Sequence, residues 1–141
     1  MIPGLVLETS VIIAAERAAL PASQLLERVK QEYNPGAVIV SAVSVMELEH
    51  AVYRAPTAER RVRRQDFLHG LYGLVSIEAF RHETALIAAR VGATEQMRGY
   101  TIPLADLLIG CTALQFGYGV LTCNVKDFSR IPGLAVHVFA L

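Results

Sequence analysis

At 141 residues, with no formal net charge, 53% apolar residues and 18% charged, the chain is long enough for one domain that buries a core without disulfides or a structural metal. No apolar run reaches the roughly eighteen positions a membrane-spanning helix needs. The longest, Leu5 to Ala15, is interrupted by Glu8 and two hydroxyls, with no basic region of a secretory signal ahead of it. Two cysteines, Cys111 and Cys123, lack metal-ligand spacing, so buried thiols in a reducing, cytoplasmic compartment are expected.

Leu5-Val6-Leu7 reads as a short buried strand, and Ser10 as the N-cap of the helix that follows. Pro21 opens a second helix to about Glu32, and Asn34-Pro35-Gly36 is a turn. Ala37 to Val40 is a second strand. Ser44 to Glu47 has capping-box spacing for a helix with apolar Val45, Leu48 and Val52 that ends near Pro56. Thr57 caps a fourth helix ending around Gly73. Leu74 to Ile77 is a third strand, and Ala79 to Arg98 a long helix. After Thr101-Ile102-Pro103, the spacing of Leu104, Leu107, Leu108, Cys111 and Leu114 predicts a buried helix. Gly119 to Thr122 and Ala135 to Phe139 complete five strands. Alternation of strands with helices predicts an α/β domain, residues 1–141, with a central, mostly parallel sheet of about five short strands flanked by helices. Chemistry in such sheets gathers beyond the carboxyl ends of the strands.

Four acids stand at those positions. Glu8 directly follows the first strand, where an ionised carboxylate needs a cation or helix N-terminal amides. Glu47, taken alone, is explained completely by the capping box, its carboxylate returning to the N-cap amide. Asp106, the sole acid in an apolar helix, falls in its first turn and is expected to be the most buried of the four. Asp127 follows the fourth strand, where Asn124 and Asp127 also suit an ordinary turn. Carboxylates converging at one sheet edge repel each other unless cations neutralise them, and an oxygen-rich cluster suits Mg²⁺ or Mn²⁺. Such ions support phosphodiester hydrolysis. No HExxH, CxxC, GxSxG, GxGxxG or Walker sequence is present, which argues against zinc, a hydrolase elbow, a dinucleotide and a nucleoside triphosphate. Five of the eleven arginines lie between Arg54 and Arg64. Arg60, Arg61, Arg63 and Arg64 form either a phosphate-binding stripe or a solvated helix face.

The order of these segments resembles the PIN-domain family, over essentially the whole chain. Leu5-Val6-Leu7-Glu8-Thr9-Ser10 resembles the opening motif, and Ser41 to Leu48 the second. Ile102 to Ala113 resembles the third, Leu121 to Phe128 the fourth, and Ile131 to Val136 the usual ending. Length and arrangement look most like VapC toxins. The resemblance implies a three-layer PIN-like fold, metal-dependent RNA cleavage, a homodimer and a VapB-like antitoxin that covers the active-site groove. It implies Glu8, Glu47, Asp106 and Asp127 as ligands of Mg²⁺ or Mn²⁺, with Ser10, Thr122 and Asn124 close by as orienting groups; on RNA, the Arg60, Arg61, Arg63 and Arg64 stripe would then contact the backbone. The departure is Glu8, where the family has aspartate; glutamate moves the carboxylate outward by about 1.5 Å. The alternative this opens is a degenerate PIN protein with weakened or lost nuclease activity, acting as a binding or regulatory module.

Overall fold

The computed structural model describes residues 1–141. The strands are β1 (Leu5–Leu7), β2 (Val38–Ser41), β3 (Ser76–Glu78), β4 (Gly119–Thr122) and β5 (Val136–Val138). The helices are α1 (Thr9–Arg17), α2 (Ala22–Tyr33), α3 (Ala42–Tyr53), α4 (Ala58–Tyr72), α5 (His82–Met97), α6 (Leu104–Phe116) and the short α7 (Val125–Phe128). The five strands form one sheet in the order β3-β2-β1-β4-β5, and every pairing is parallel.

The three apolar residues of β1 show why the sheet is covered on both sides. Successive strand residues point to opposite faces. Leu5 and Leu7 enter a core formed with α1, α2, α3 and α4, while Val6 enters one formed with α5, α6 and α7. β2 and β4 divide likewise: Val40 and Leu121 lie in the first core, Ile39 and Val120 in the second. Helices on both faces of a parallel sheet make a doubly wound, three-layer domain. Gly110 lets α6 approach Ile131 and Leu134 closely enough that a Cβ would collide with Ile131. Gly117, at φ +70°, is the left-handed C-cap of α6 and turns the chain into β4. No helix is long and apolar enough to cross a membrane.

Several local expectations are corrected. The N-cap of α1 is Glu8 rather than Ser10, because the Glu8 carboxylate accepts the Ser10 amide. The cap of α3 is Ser41, whose hydroxyl accepts the Val43 amide, so Ser44 lies inside the helix and no capping box forms there. β3 falls two residues later at its start than expected, and α5 begins at His82 rather than Ala79. Leu104 is 70% exposed, since it occupies the outward side of the first turn of α6. Cys111 is buried as expected, but Cys123 is exposed in the loop after β4.

Candidate active site

The strand order reverses direction at β1 and β4: from β1 the chain winds outward through β2 to β3, and from β4 it winds to β5. Loops diverge there and leave a crevice at the carboxyl edge. Glu8 ends β1, Thr122 ends β4, Asp106 opens α6, Asp127 lies in α7, and Glu47 lies in the second turn of α3.

Glu8 is 6% exposed and well fastened. Its Oε2 accepts the Ser10 amide at 3.0 Å, and its Oε1 accepts the Ser10 hydroxyl at 2.5 Å and the Thr122 hydroxyl at 2.6 Å. Those hydroxyls are themselves held by the end of β4. The Cys123 amide donates to Ser10 Oγ and the Asn124 amide to Thr122 Oγ1, each at 2.9 Å. Each hydroxyl therefore accepts a backbone proton and gives its own to the carboxylate. Ser10 and Thr122 are brought to the acid as expected, whereas Asn124 contributes its backbone and its side chain is exposed.

Glu47 is half-buried, and its Oε1 lies 2.6 Å from Thr9 Oγ1, which in turn lies 2.9 Å from the buried Ser44 Oγ. With the single Thr9 proton on the carboxylate, Ser44 gives its own proton to Thr9. Sequence reasoning missed Thr9 and reversed the part of Ser44, because the contact joins residues on two different helices.

Asp106 and Asp127 are differently placed. Asp106 is half-buried, not the most buried of the four, because Glu8 lies deeper. Its carboxyl is pushed up to about 6 by burial, then by the charges of Glu8, Asp127 and Glu47, and last by a hydrogen bond with Asp127. No cation offsets this: none of the three ion pairs of the chain involves any of these four acids. Asp127 accepts the hydroxyl of Tyr100, and the Arg130 guanidinium lies 4.1 Å over the centre of the Tyr100 ring. Neither Tyr100 nor Arg130 carried a sequence signal beyond lying in loops beside the third and fourth motifs.

A cation fits the chemistry of this donor set, because like-charged carboxyl oxygens gather without a basic partner. As the side chains stand, no three acidic, histidine or cysteine groups are arranged to hold one ion together. Glu8 is folded back onto its hydroxyls and Asp127 onto Tyr100, so joint ligation requires side-chain rotation.

The arginine run divides. Arg60, Arg63 and Arg64, with Arg17 from the far end of α1, line an open cleft of about 490 Å³ whose apolar wall includes Leu20, Pro21 and Phe67. Arg64 is partly committed, donating to the Ala51 carbonyl at 2.6 Å and lying 4.0 Å from Glu16. Arg61 turns away from the cleft toward the Tyr53 carbonyl.

A doubly wound parallel sheet with four acids gathered at its switch point defines a class of α/β domains suited to handling cations and phosphates. A model of the PIN domain matches residues 5–134, and the chain belongs to the PIN-domain family. It is 35% identical over 133 residues to a Ribonuclease VapC1 of Rickettsia felis, covering 94% of each chain. A Ribonuclease VapC of Rickettsia bellii is 31% identical over 133 residues, again covering 94% of each. Among solved structures, VapBC2 from Rickettsia felis bound to a DNA fragment from their promoter superposes with a TM-score of 0.80 at 20% identity, covering 97% of this chain and 99% of that one. The PIN-like α/β fold and the likeness to VapC expected from the motifs are thus borne out.

Proposed function

We propose that the chain is a divalent-metal-dependent endoribonuclease, the toxin component of a type II, VapBC-like toxin–antitoxin module. In this reading residues 1–141 work as one domain in the cytoplasm, as a homodimer, opposed by a VapB-like antitoxin. The observation that carries it is Asp106, which burial and three neighbouring carboxylates hold well above its ordinary value with no protein cation to relieve it. The similarity to relatives named Ribonuclease VapC supports the same reading.

Glu8, Glu47, Asp106 and Asp127 would hold Mg²⁺ or Mn²⁺, which supplies activation of water and neutralisation of charge on the phosphodiester. The protein's own part is orientation. Ser10 and Thr122 aim the Glu8 carboxylate, Thr9 and Ser44 aim Glu47, and Tyr100 aims Asp127. Asn124 anchors the loop through its amide. Arg60, Arg61, Arg63 and Arg64 supply positive charge for the RNA backbone, three of them from the α1–α4 cleft.

Cleavage of RNA should require a divalent ion, stop with EDTA and return with excess Mg²⁺ or Mn²⁺. Asp106→Asn, which keeps the shape and removes the charge, should lower the rate by roughly a hundredfold or more, about 2.7 kcal/mol of transition-state stabilisation. Cleavage by this variant at the parent's rate would remove the metal assignment. A second reading, a degenerate PIN protein that binds without cutting, is favoured by one observation: both oxygens of Glu8 already have protein donors. It predicts no cleavage by the parent with any divalent ion.

A further inference from the structure

Arg130 stands in an unusual position for a cation so close to acids. It follows α7 by two residues, and its amide donates to the Asp127 carbonyl at 3.2 Å, so the two side chains leave the same turn. A guanidinium there would ordinarily close on the carboxylate in a bidentate pair. It does not: no ion pair involves Arg130. Tyr100 separates the two groups, its hydroxyl donating to Asp127 Oδ1 while the face of its ring carries the guanidinium at 4.1 Å. Gly99, at φ +86°, turns the chain between α5 and Tyr100. Stacking leaves the planar edge of a guanidinium, with its forked N–H donors, open to a ligand.

We propose that Tyr100 and Arg130 form a phosphate-binding arm on the rim of the acidic site, Arg130 taking a phosphodiester of single-stranded RNA next to the one that is cut. Tyr100 is the positioning residue that keeps the arginine from collapsing onto Asp127. This rests on the nuclease reading. The neighbouring phosphate is the fitting target because the acids themselves repel an anion, and an exposed guanidinium held at their edge offsets that repulsion where the strand enters.

The test is binding of a short fluorescein-labelled single-stranded RNA to the full chain, in EDTA and again with excess Ca²⁺, as salt is varied. Arg130→Gln should weaken binding roughly tenfold and reduce the salt slope by about 0.7, the loss of one phosphate contact on a single strand. Arg130→Lys should restore the slope and only part of the affinity, since the ammonium lacks the fork. Tyr100→Leu, which leaves the arginine in place but frees it to pair with Asp127, should lower the slope as far as Arg130→Gln does. Adding Asp127→Asn to Tyr100→Leu should bring the slope back. An unchanged slope in Arg130→Gln, or in a folded Tyr100→Leu, overturns the arm while leaving the nuclease reading standing. A parent chain that binds no RNA in either condition removes both.

Discussion

Two halves of the acidic site are built on opposite principles. The glutamates are fastened: Glu8 by two hydroxyls and an amide, Glu47 by a threonine that a buried serine supports. Such donors satisfy the carboxylate oxygens and fix their direction. Asp106 takes no hydroxyl or amide donor, and its neighbours are other carboxyl groups that hold its own carboxyl up to about 6. The fastened half supports the fold whether or not a ligand is present. The crowded half costs the fold stability until positive charge arrives. Substitutions in the two halves should therefore move stability in opposite directions.

The largest shift is expected from Thr122→Val, an isosteric change at a fully buried position. Glu8 loses its 2.6 Å donor and the Asn124 amide loses its acceptor. Losing a hydrogen bond to a buried charged acceptor costs about 2 kcal/mol, read as a lower urea midpoint without a changed slope.

Asp106→Asn should do the reverse and stabilise the metal-free protein at neutral pH. Its shift would be worth more in a sealed site, but Asp106 is only half-buried, and screening leaves about 1 kcal/mol, or about 3 °C in melting temperature. The sign follows from linkage. The folded carboxyl lies above its ordinary value, so the protonated form is the one the fold favours. Below about pH 4 the group is protonated in both states and adds no penalty; above about pH 6 it is ionised in both and the full penalty is present. Melting temperature of the metal-free parent should thus fall through that window relative to Asp106→Asn, and excess Mg²⁺ should remove the difference. Parallel melting curves of the two proteins would contradict the crowding.

Glu8→Asp should have the smallest effect on stability, within about 1 kcal/mol, because aspartate is an equally good N-cap and the Thr122 hydroxyl, if released by the shorter arm, can turn to the Asn124 carbonyl 3.4 Å away. Its use is to show whether the fastened half also serves the ion. If Glu8 reaches the cation, the swap should tighten binding in calorimetric titration, more for Mg²⁺ than for Mn²⁺. Equal affinities would leave Glu8 as a helix cap and rest the site on Glu47, Asp106 and Asp127.

The sequence carried the strand–helix alternation and the four acids, because strand periodicity and first-turn acids are local properties. It was misleading at Ser41 and Ser44, two serines three positions apart that could each cap α3. The choice is made by where β2 ends, and β2 ends where its pairing with β3 ends, at Ser41 opposite Glu78. Thr9 was passed over because its contact to Glu47 exists only once α1 lies against α3. Tyr100 and Arg130 look like ordinary loop residues until α7 folds, and α7, at four residues, is too short to show a period. The division of the arginine run into Arg60, Arg63 and Arg64 on one side and Arg61 on the other likewise depends on where the end of α1 packs.

The central position of β1 has a bearing on when the acid cluster is completed. β1 lies near the start of the sequence, yet one of its two sheet neighbours is β4, paired from Leu5 opposite Gly119 to Leu7 opposite Leu121. Pairings so distant along the chain close late, because the loop entropy must be met before the contact returns anything. Glu8 gains its hydroxyl partner from Thr122, and Asp127 comes later still. A chain folded only as far as α3 holds the glutamates but neither the strand that fastens Glu8 nor the two aspartates. A domain wired in this way assembles its acid cluster as one of the last events of folding, after the two wings of the sheet have met.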